Sequence, residues 1–392
     1  MTTTADQLAA DQLITVPPGL KGVAVTDTAL GDVRGAQGYY HYRQYSATEL
    51  ASRRTLEDVW CLLLDGRLPA TRAELEAFAT EVGPLRELPA AVAGALPAIA
   101  SAGGGVGLDA VRSAVSLLAT ADGMRPLWGG DPAVRRRDLL RLAAAVPTIV
   151  AGLWRAVRGL PPLAPDPSLG HAADYLRMLG MDTSGAAARA VEEYLVLTVD
   201  HGFNASTFTA RVVASTGADA GAAVVAALGA LSGPLHGGAP GRALEALEAI
   251  GEPARAGAWV RSAVERGERI MGFGHPVYRT EDPRSAMLRD VALGLGGDLA
   301  AFAVEVERVI SETLAELRPE HPLHANVEYY AGVVMATAGL PRELFTPTFA
   351  VSRVIGWCAH VDEQAESRRI IRPSARYVGP PPPQPVPPLG EG

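Results

Sequence analysis

Apolar positions along this chain recur mostly at helical spacing. From Ser46 onward, Leu56, Val59, Trp60, Leu63 and Leu64 share one helix face, and "SATE" at Ser46 to Glu49 has the form of a capping box. The same rhythm predicts helices near 70–82, 108–121, 132–157, 185–199, 206–216, 221–231, 241–250 and 253–266, then over 298–317, 327–338 and 347–363. Asp282 followed by Pro283 predicts one more helix start, because the fixed φ of proline suits the first helical position. Period-two alternation is confined to "VAVTDTALGDVRG" and "YYHYRQY", which predict short strands or a small hairpin. No internal repeat of about 20 to 50 residues is visible. The expected class is all-α, with short connections marked by glycine or proline.

The two ends depart from this pattern. Residues 1–16 are small and polar, and "GPPPPQPVPPLGEG" from Gly379 is proline-rich, so neither end is expected to carry the fold. The start lacks the basic segment and long apolar core of a secretory signal. The longest apolar runs, near 142–153 and 220–235, fall short of the roughly 20 residues that span a bilayer, and predict buried helices.

Composition narrows the chemistry. At 392 residues, 48 % hydrophobic and 20 % charged, the chain suits two or three lobes around a sizeable interior. A net charge of -8 argues against nucleic-acid and anionic-membrane partners, so an anionic substrate would need a local cluster of positive groups. Lys21 is the sole lysine, which removes lysine Schiff-base chemistry and a Walker-type phosphate loop. Arginine instead suits two-point recognition of carboxylates. Cys61 and Cys358 are isolated in apolar stretches, so neither a disulfide framework nor a thiolate metal site is expected and a reducing, cytoplasmic location is.

Three of the eight histidines stand in unusual settings. His236 lies in "SGPLHGGAPGRA" and His275 in "MGFGHPVYRTEDPR", both glycine-rich loops, while His201 ends a helix in "VDHGFNAST". A loop histidine can present its ring to a cleft, although many only satisfy local hydrogen bonds. "HPLH" at His321 to His324 has no further ligand at metal spacing, so no metal site is expected. "GGGVG" lacks the buried strand of a dinucleotide fingerprint. Between Arg353 and Tyr377 five arginines face three acidic residues, which reads as a solvated face or an anion site. In "HANVEYYAGVV", Glu328 is a lone carboxylate at a helix start. The bland reading is a first-turn charge behind the N-cap Asn326, and the functional one is a base.

Taken in order, "NASTFTARVVASTGA", "GPLHGGAP", "GFGHPVYRTEDPR", "NVEYYAG", "SRVIGWCAHVDEQ" and "RPSARYVG" resemble the citrate synthase family, and the likeness covers about 19–379. The resemblance implies an all-α, two-domain fold with a large helical domain (17–221 and 333–378), a small one (222–332), a disordered start (1–16) and a proline-rich tail (379–392). It implies a homodimer that condenses acetyl-CoA with oxaloacetate and hydrolyses the thioester to citrate and CoA, with acetyl-CoA as co-substrate and no permanently bound cofactor. Carried onto this chain, it makes His236 the donor to the thioester oxygen, His275 the group polarising the ketone, and His201 a substrate contact. Arg284, Arg353 and, from across the dimer interface, Arg372 would hold the carboxylates, and Arg279 with Gly272 and Gly274 would contact CoA. Glu328 falls where most of the family has the aspartate that takes the methyl proton, although some actinobacterial-looking members share the glutamate. The extra methylene matters, since a base misplaced by about 1 Å costs on the order of a hundredfold in rate. Pro276 after His275 and "GF" after His201 also depart from the usual pattern. Two rival readings are a 2-methylcitrate synthase using propionyl-CoA and a non-catalytic CoA-ester-binding or regulatory protein of the same fold.

Overall fold

The computed structural model describes residues 13–389 except 182, 184, 238 and 321, and the side chains of 239 and 240 are likewise not described. Most of the expected loose start, His321 and the last residues of the tail therefore lie outside the described residues. Contacts divide the chain into two units, Met1–Asp27 with Ile370–Gly392, and Thr28–Arg369. In the first unit, Pro18–Leu20 form a 3-10 turn and Arg376 donates to Thr15 Oγ1 at 2.6 Å. Beyond Gly379 the described residues form no helix or strand, since runs of proline have no amide hydrogens to bond.

The larger unit opens with a three-stranded antiparallel sheet, β1 (Gly31–Arg34), β2 (Tyr39–Tyr42) and β3 (Tyr45–Ser46), in the region where alternation predicted strands. Gly31 pairs with Tyr42 and Arg34 with Tyr39. Tyr40 and Tyr42 are both buried, and their hydroxyls donate to the Leu197 and Val196 carbonyls at 3.0 and 2.8 Å. That pair of bonds anchors the sheet to a helix end from which His201 follows.

Sixteen α-helices follow among the described residues. The first eight are α1 (Ala47–Arg53), α2 (Leu56–Asp65), α3 (Arg72–Val82), α4 (Ala90–Gly103), α5 (Leu108–Ala121), α6 (Pro132–Val157), α7 (His171–Leu179) and α8 (Gly185–Thr198). The rest are α9 (Ala205–Ala214), α10 (Ala220–Leu231), α11 (Ala239–Ile250), α12 (Pro253–Glu265), α13 (Pro283–Leu295), α14 (Asp298–Leu317), α15 (Val327–Thr337) and α16 (Phe345–Ser367). The all-α class expected from periodicity is the one observed.

Local signals explain most boundaries. Thr55 and Asp58 form a full capping box, which starts α2 afresh and breaks what read as one helix from Ser46. Asp131, Asn204, Asp219, Asp282 and Asn326 each cap a helix with a side-chain oxygen. Two helices were not expected. In α4 alanine and glycine dominate and Pro97 interrupts, so its periodic signal is weak, while α7 is amphipathic but only nine residues long and starts behind Gly170 with no side-chain cap to mark it. The run near 142–153 is buried as expected: α6, although long and apolar enough to cross a membrane by length and composition, has 72 % of its apolar stretch buried inside the molecule. It packs against α16 in the core. Each leucine or valine buried there contributes roughly 1.5 to 3 kcal/mol.

Candidate active site

Three loops, the starts of α13 and α15, and one face of α16 surround a cavity of about 850 Å³. His201, His236, His275, Arg284, Glu328 and Arg353 all line it, together with Gly272 and Gly274. Residues separated by more than 150 positions are thus brought to one place.

The two buried arginines differ in their partners. Arg284 gives Nε and Nη2 to Asp282 at 3.0 and 2.7 Å, and although burial opposes its charge, Asp282 holds its pKa above the usual value. Arg353 is 2 % exposed, donates from Nε to the Thr198 carbonyl at 2.9 Å, and lies 4.7 Å from the Phe349 ring centroid. Among the described residues no carboxylate is within ion-pair distance of it, and burial lowers its pKa. A buried guanidinium without a counter-ion, facing a cavity, is a receptor for an anion.

Hydrogen bonding fixes the histidine tautomers. The Val277 and Tyr278 amides both donate to His275 Nδ1 at 3.1 Å, so Nδ1 is an acceptor and the ring proton sits on Nε2. Arg284 Nη2, itself only a donor, is 3.4 Å from Nε2 and is a neighbour rather than a partner. Pro276 lies in this turn, where its fixed φ helps fold the next two amides back on the ring. Desolvation, with Arg284 adding to it, lowers His275 to about 4. His201 shares a 3.0 Å hydrogen bond between Nε2 and the Tyr278 hydroxyl, its ring centroid is 5.4 Å from that of His275, and burial drives its pKa well down.

On the other side, the Ser206 amide, in the first turn of α9, donates to His236 Nε2 at 3.3 Å, and the Ser206 hydroxyl is 2.8 Å from the same atom. A backbone amide can only donate, so Nε2 accepts and Nδ1 carries the proton. Burial, then Arg353, lowers His236 to about 4. Both loop histidines are therefore neutral near pH 7, each with a defined N–H donor.

Glu328 sits in the first turn of α15, as its bland reading requires. The helix-start amides, however, already have partners: Asn326 Oδ1 accepts from Glu328 N at 3.0 Å, and Asp282 Oδ2 accepts from Val327 N at 3.2 Å. Among the described residues the Glu328 carboxylate itself has no hydrogen bond or ion pair. Burial raises its pKa to about 7, with Arg284 opposing and Asp282 reinforcing. A carboxylate at that value, facing a cavity, is suited to accept a proton near neutral pH.

Gly272 and Gly274 adopt φ of 83° and 82°, and a Cβ on Gly272 would lie 3.0 Å from the Tyr329 ring. Their loop pairs with the start of α15 through Asn326 N to Gly272 O and Gly274 N to His324 O, each at 2.8 Å. Arg279 is exposed and does not line the cavity. Arg372 belongs to the terminal unit and is exposed there. Arg269 and Arg318, which sequence reasoning passed over, are exposed and line the cavity. Ser206 was missed for lack of any local signal, and Asp282 was legible only as a cap. No cluster of potential metal ligands occurs among the described residues.

Residues 19–374 match the family described as "Citrate synthase, C-terminal domain". A citrate synthase of Deinococcus radiodurans is 36 % identical, over 93 % of this chain and 96 % of that protein. A 2-methylcitrate synthase of Mycobacterium tuberculosis is 37 % identical, over 94 % of this chain and 92 % of its own length. The solved ternary complex of carboxymethyl coenzyme A and oxaloacetate with citrate synthase from Thermoplasma acidophilum superposes with a TM-score of 0.83 at 29 % identity, covering 93 % of this chain and 97 % of that one. Sequence and fold agree, and the chain belongs to the citrate synthase family, whose members are acyl-transferring enzymes.

Proposed function

We propose that the cavity joins acetyl-CoA to oxaloacetate and hydrolyses the resulting thioester to citrate and CoA. The observation that carries this reading is the meeting of a carboxylate of raised pKa, Glu328, with two neutral histidine N–H donors and two buried guanidiniums in one cavity. Glu328 takes a proton from the methyl carbon beside the thioester. His236 Nδ1–H donates to the thioester oxygen as negative charge develops there, a task for a fixed donor in a desolvated site. His275 Nε2–H polarises the ketone, and the enol carbon attacks it. Water then cleaves the acyl–sulfur bond, releasing CoA thiol.

Arg284 and Arg353 hold the carboxylates of the 2-oxo dicarboxylate, with His201 beside them. Arg372 of a second copy completes the set in a homodimer, and Arg269 and Arg318 offer the charge that CoA phosphates need. The role of Arg279 in binding CoA, the large domain at 17–221 and 333–378, the small one at 222–332 and a cytoplasmic location stay part of this reading. Both substrates have counterparts bound to the Thermoplasma relative.

A second reading, with propionyl-CoA giving 2-methylcitrate, is favoured by the similarity to the Mycobacterium 2-methylcitrate synthase. One methylene changes discrimination by only about 1 to 3 kcal/mol. The test follows thiol release with oxaloacetate and either ester. Wild type should favour acetyl-CoA, and Glu328→Gln should lower kcat by about 10² to 10⁴. If wild type turns over neither ester, the condensing reading fails. Equal rates for the two proteins would remove Glu328 as the base.

A further inference from the structure

We infer that His360, together with Asp200 and Arg211, is a positioning network for the carboxylate-binding half of the cavity, an inference that rests on the condensing reading above. None of the three lines the cavity, yet they are 1, 2 and 1 % exposed. His360 Nε2 is 3.1 Å from Asp200 Oδ1, and Arg211 Nη1 is 3.1 Å from His360 Nδ1. A guanidinium only donates, so Nδ1 accepts and Nε2 carries the proton toward Asp200. Arg211 is held in turn by Gln364 at 2.9 Å and by an ion pair with Glu363.

The network ends on the substrate side. Asp200 Oδ2 accepts the Gly202 amide at 3.3 Å, and the Tyr42 hydroxyl donates to the Asp200 carbonyl at 3.2 Å, so both flanks of His201 are pinned. That loop has no helical or strand ladder to hold it. Asp200 is also the largest of the acidic influences on Arg353. Arg353 and His360 are seven residues, about two turns, apart on α16, so one helix face presents both the anion receptor and the support of the His201 loop. Burying such a network is costly and its net stabilisation is small. What it does supply is a fixed place for His201 and, from Asp200 outside ion-pair distance, a fixed acidic influence on Arg353, while Glu328 and the Ser206 to His236 pair lie outside it.

The test is steady-state kinetics of full-length His360→Leu, His360→Gln and Asp200→Asn, with thiol release read while oxaloacetate and acetyl-CoA are varied in turn. In His360→Leu and Asp200→Asn the oxaloacetate KM should rise about tenfold while the acetyl-CoA KM stays within about twofold, and His360→Gln, which keeps a donor, should recover most of the loss. Removing the Asp200 charge would by itself tighten binding of a dianion, so a lower oxaloacetate KM in Asp200→Asn overturns the positioning role. Equal change in both KM values, or no change in either, overturns it as well. Should His360→Leu fail to fold, the isosteric Asp200→Asn carries the same comparison. Absence of turnover in wild type would sink the condensing reading, whereas turnover with unselective variants sinks only the network.

Discussion

The proposed base, Glu328, is one methylene longer than an aspartate would be, and the surroundings of this residue say how it is accommodated. Asp282 and Asn326 already satisfy the first amides of α15, so the carboxylate has no capping duty and is left to the cavity. Those two bonds also fix where the helix begins. Glu328→Asp should therefore leave a gap that the backbone cannot follow, with kcat down on the order of a hundredfold and both KM values little changed, as steady-state kinetics would show. An Asp variant as fast as wild type would mean that the helix start adapts. At the same scale, the tautomers of His236 and His275 follow from amides that can only donate.

Among the elements, α15 and the glycine loop before it behave as one unit. Asn326 caps the helix and its Nδ2 donates to the Gly274 carbonyl at 2.9 Å, joining the helix that carries Glu328 to the loop that presents His275. Tyr329 Oη donates to Ala303 O at 2.7 Å and Tyr330 bonds Glu307, which tie the helix to α14. Replacing Asn326 with Ala should cost about 1 to 2 kcal/mol of stability through the lost cap. It should also lower kcat, since Glu328 and His275 lose their shared reference point. Thermal melts and turnover on the same preparation check this, and a variant with lowered Tm but full kcat would separate the cap from the chemistry. Helix α16 has a comparable role, because Arg353, Trp357 and His360 recur along one of its faces, and Trp357 Nε1 donates to Ser206 Oγ at 3.2 Å behind His236.

For the molecule as a whole, buried neutral histidines set the response to acid. His171 is 1 % exposed, neither ring nitrogen has a partner, and desolvation with Arg86 holds its pKa well below 6.5. His201, His236 and His275 are lowered too. As pH falls through 6.5 the unfolded chain takes up protons at these rings while the folded one does not, so their stability is present above 6.5 and is lost below it. Glu328 acts with the opposite sign, since its folded value near 7 lies above the usual carboxylate value of 4.5 and the folded state binds a proton across the same window. Burial raises Glu57, Asp138 and Glu193 in the same sense as Glu328, yet the four rings, two of them held well below 6.5, outweigh them, so Tm should drop between about pH 7 and pH 5. A constant or rising Tm would contradict this balance. By itself the sequence determined the helical class, the caps at Ser46, Asp282 and Asn326, the short strands and the family, because periodicity and capping are local and the six ordered motifs are read directly. It also named the three histidines of the cavity and, among its carboxylates, Glu328, but not Asp32 or Glu268. Only the tertiary structure decided which amide each ring faces, that Arg353 has no counter-ion, that Asp282 joins Arg284 to α15, and that Asp200, His360 and Arg211 meet. Those relations depend on distances between residues far apart in sequence, and nothing in the local pattern encodes them.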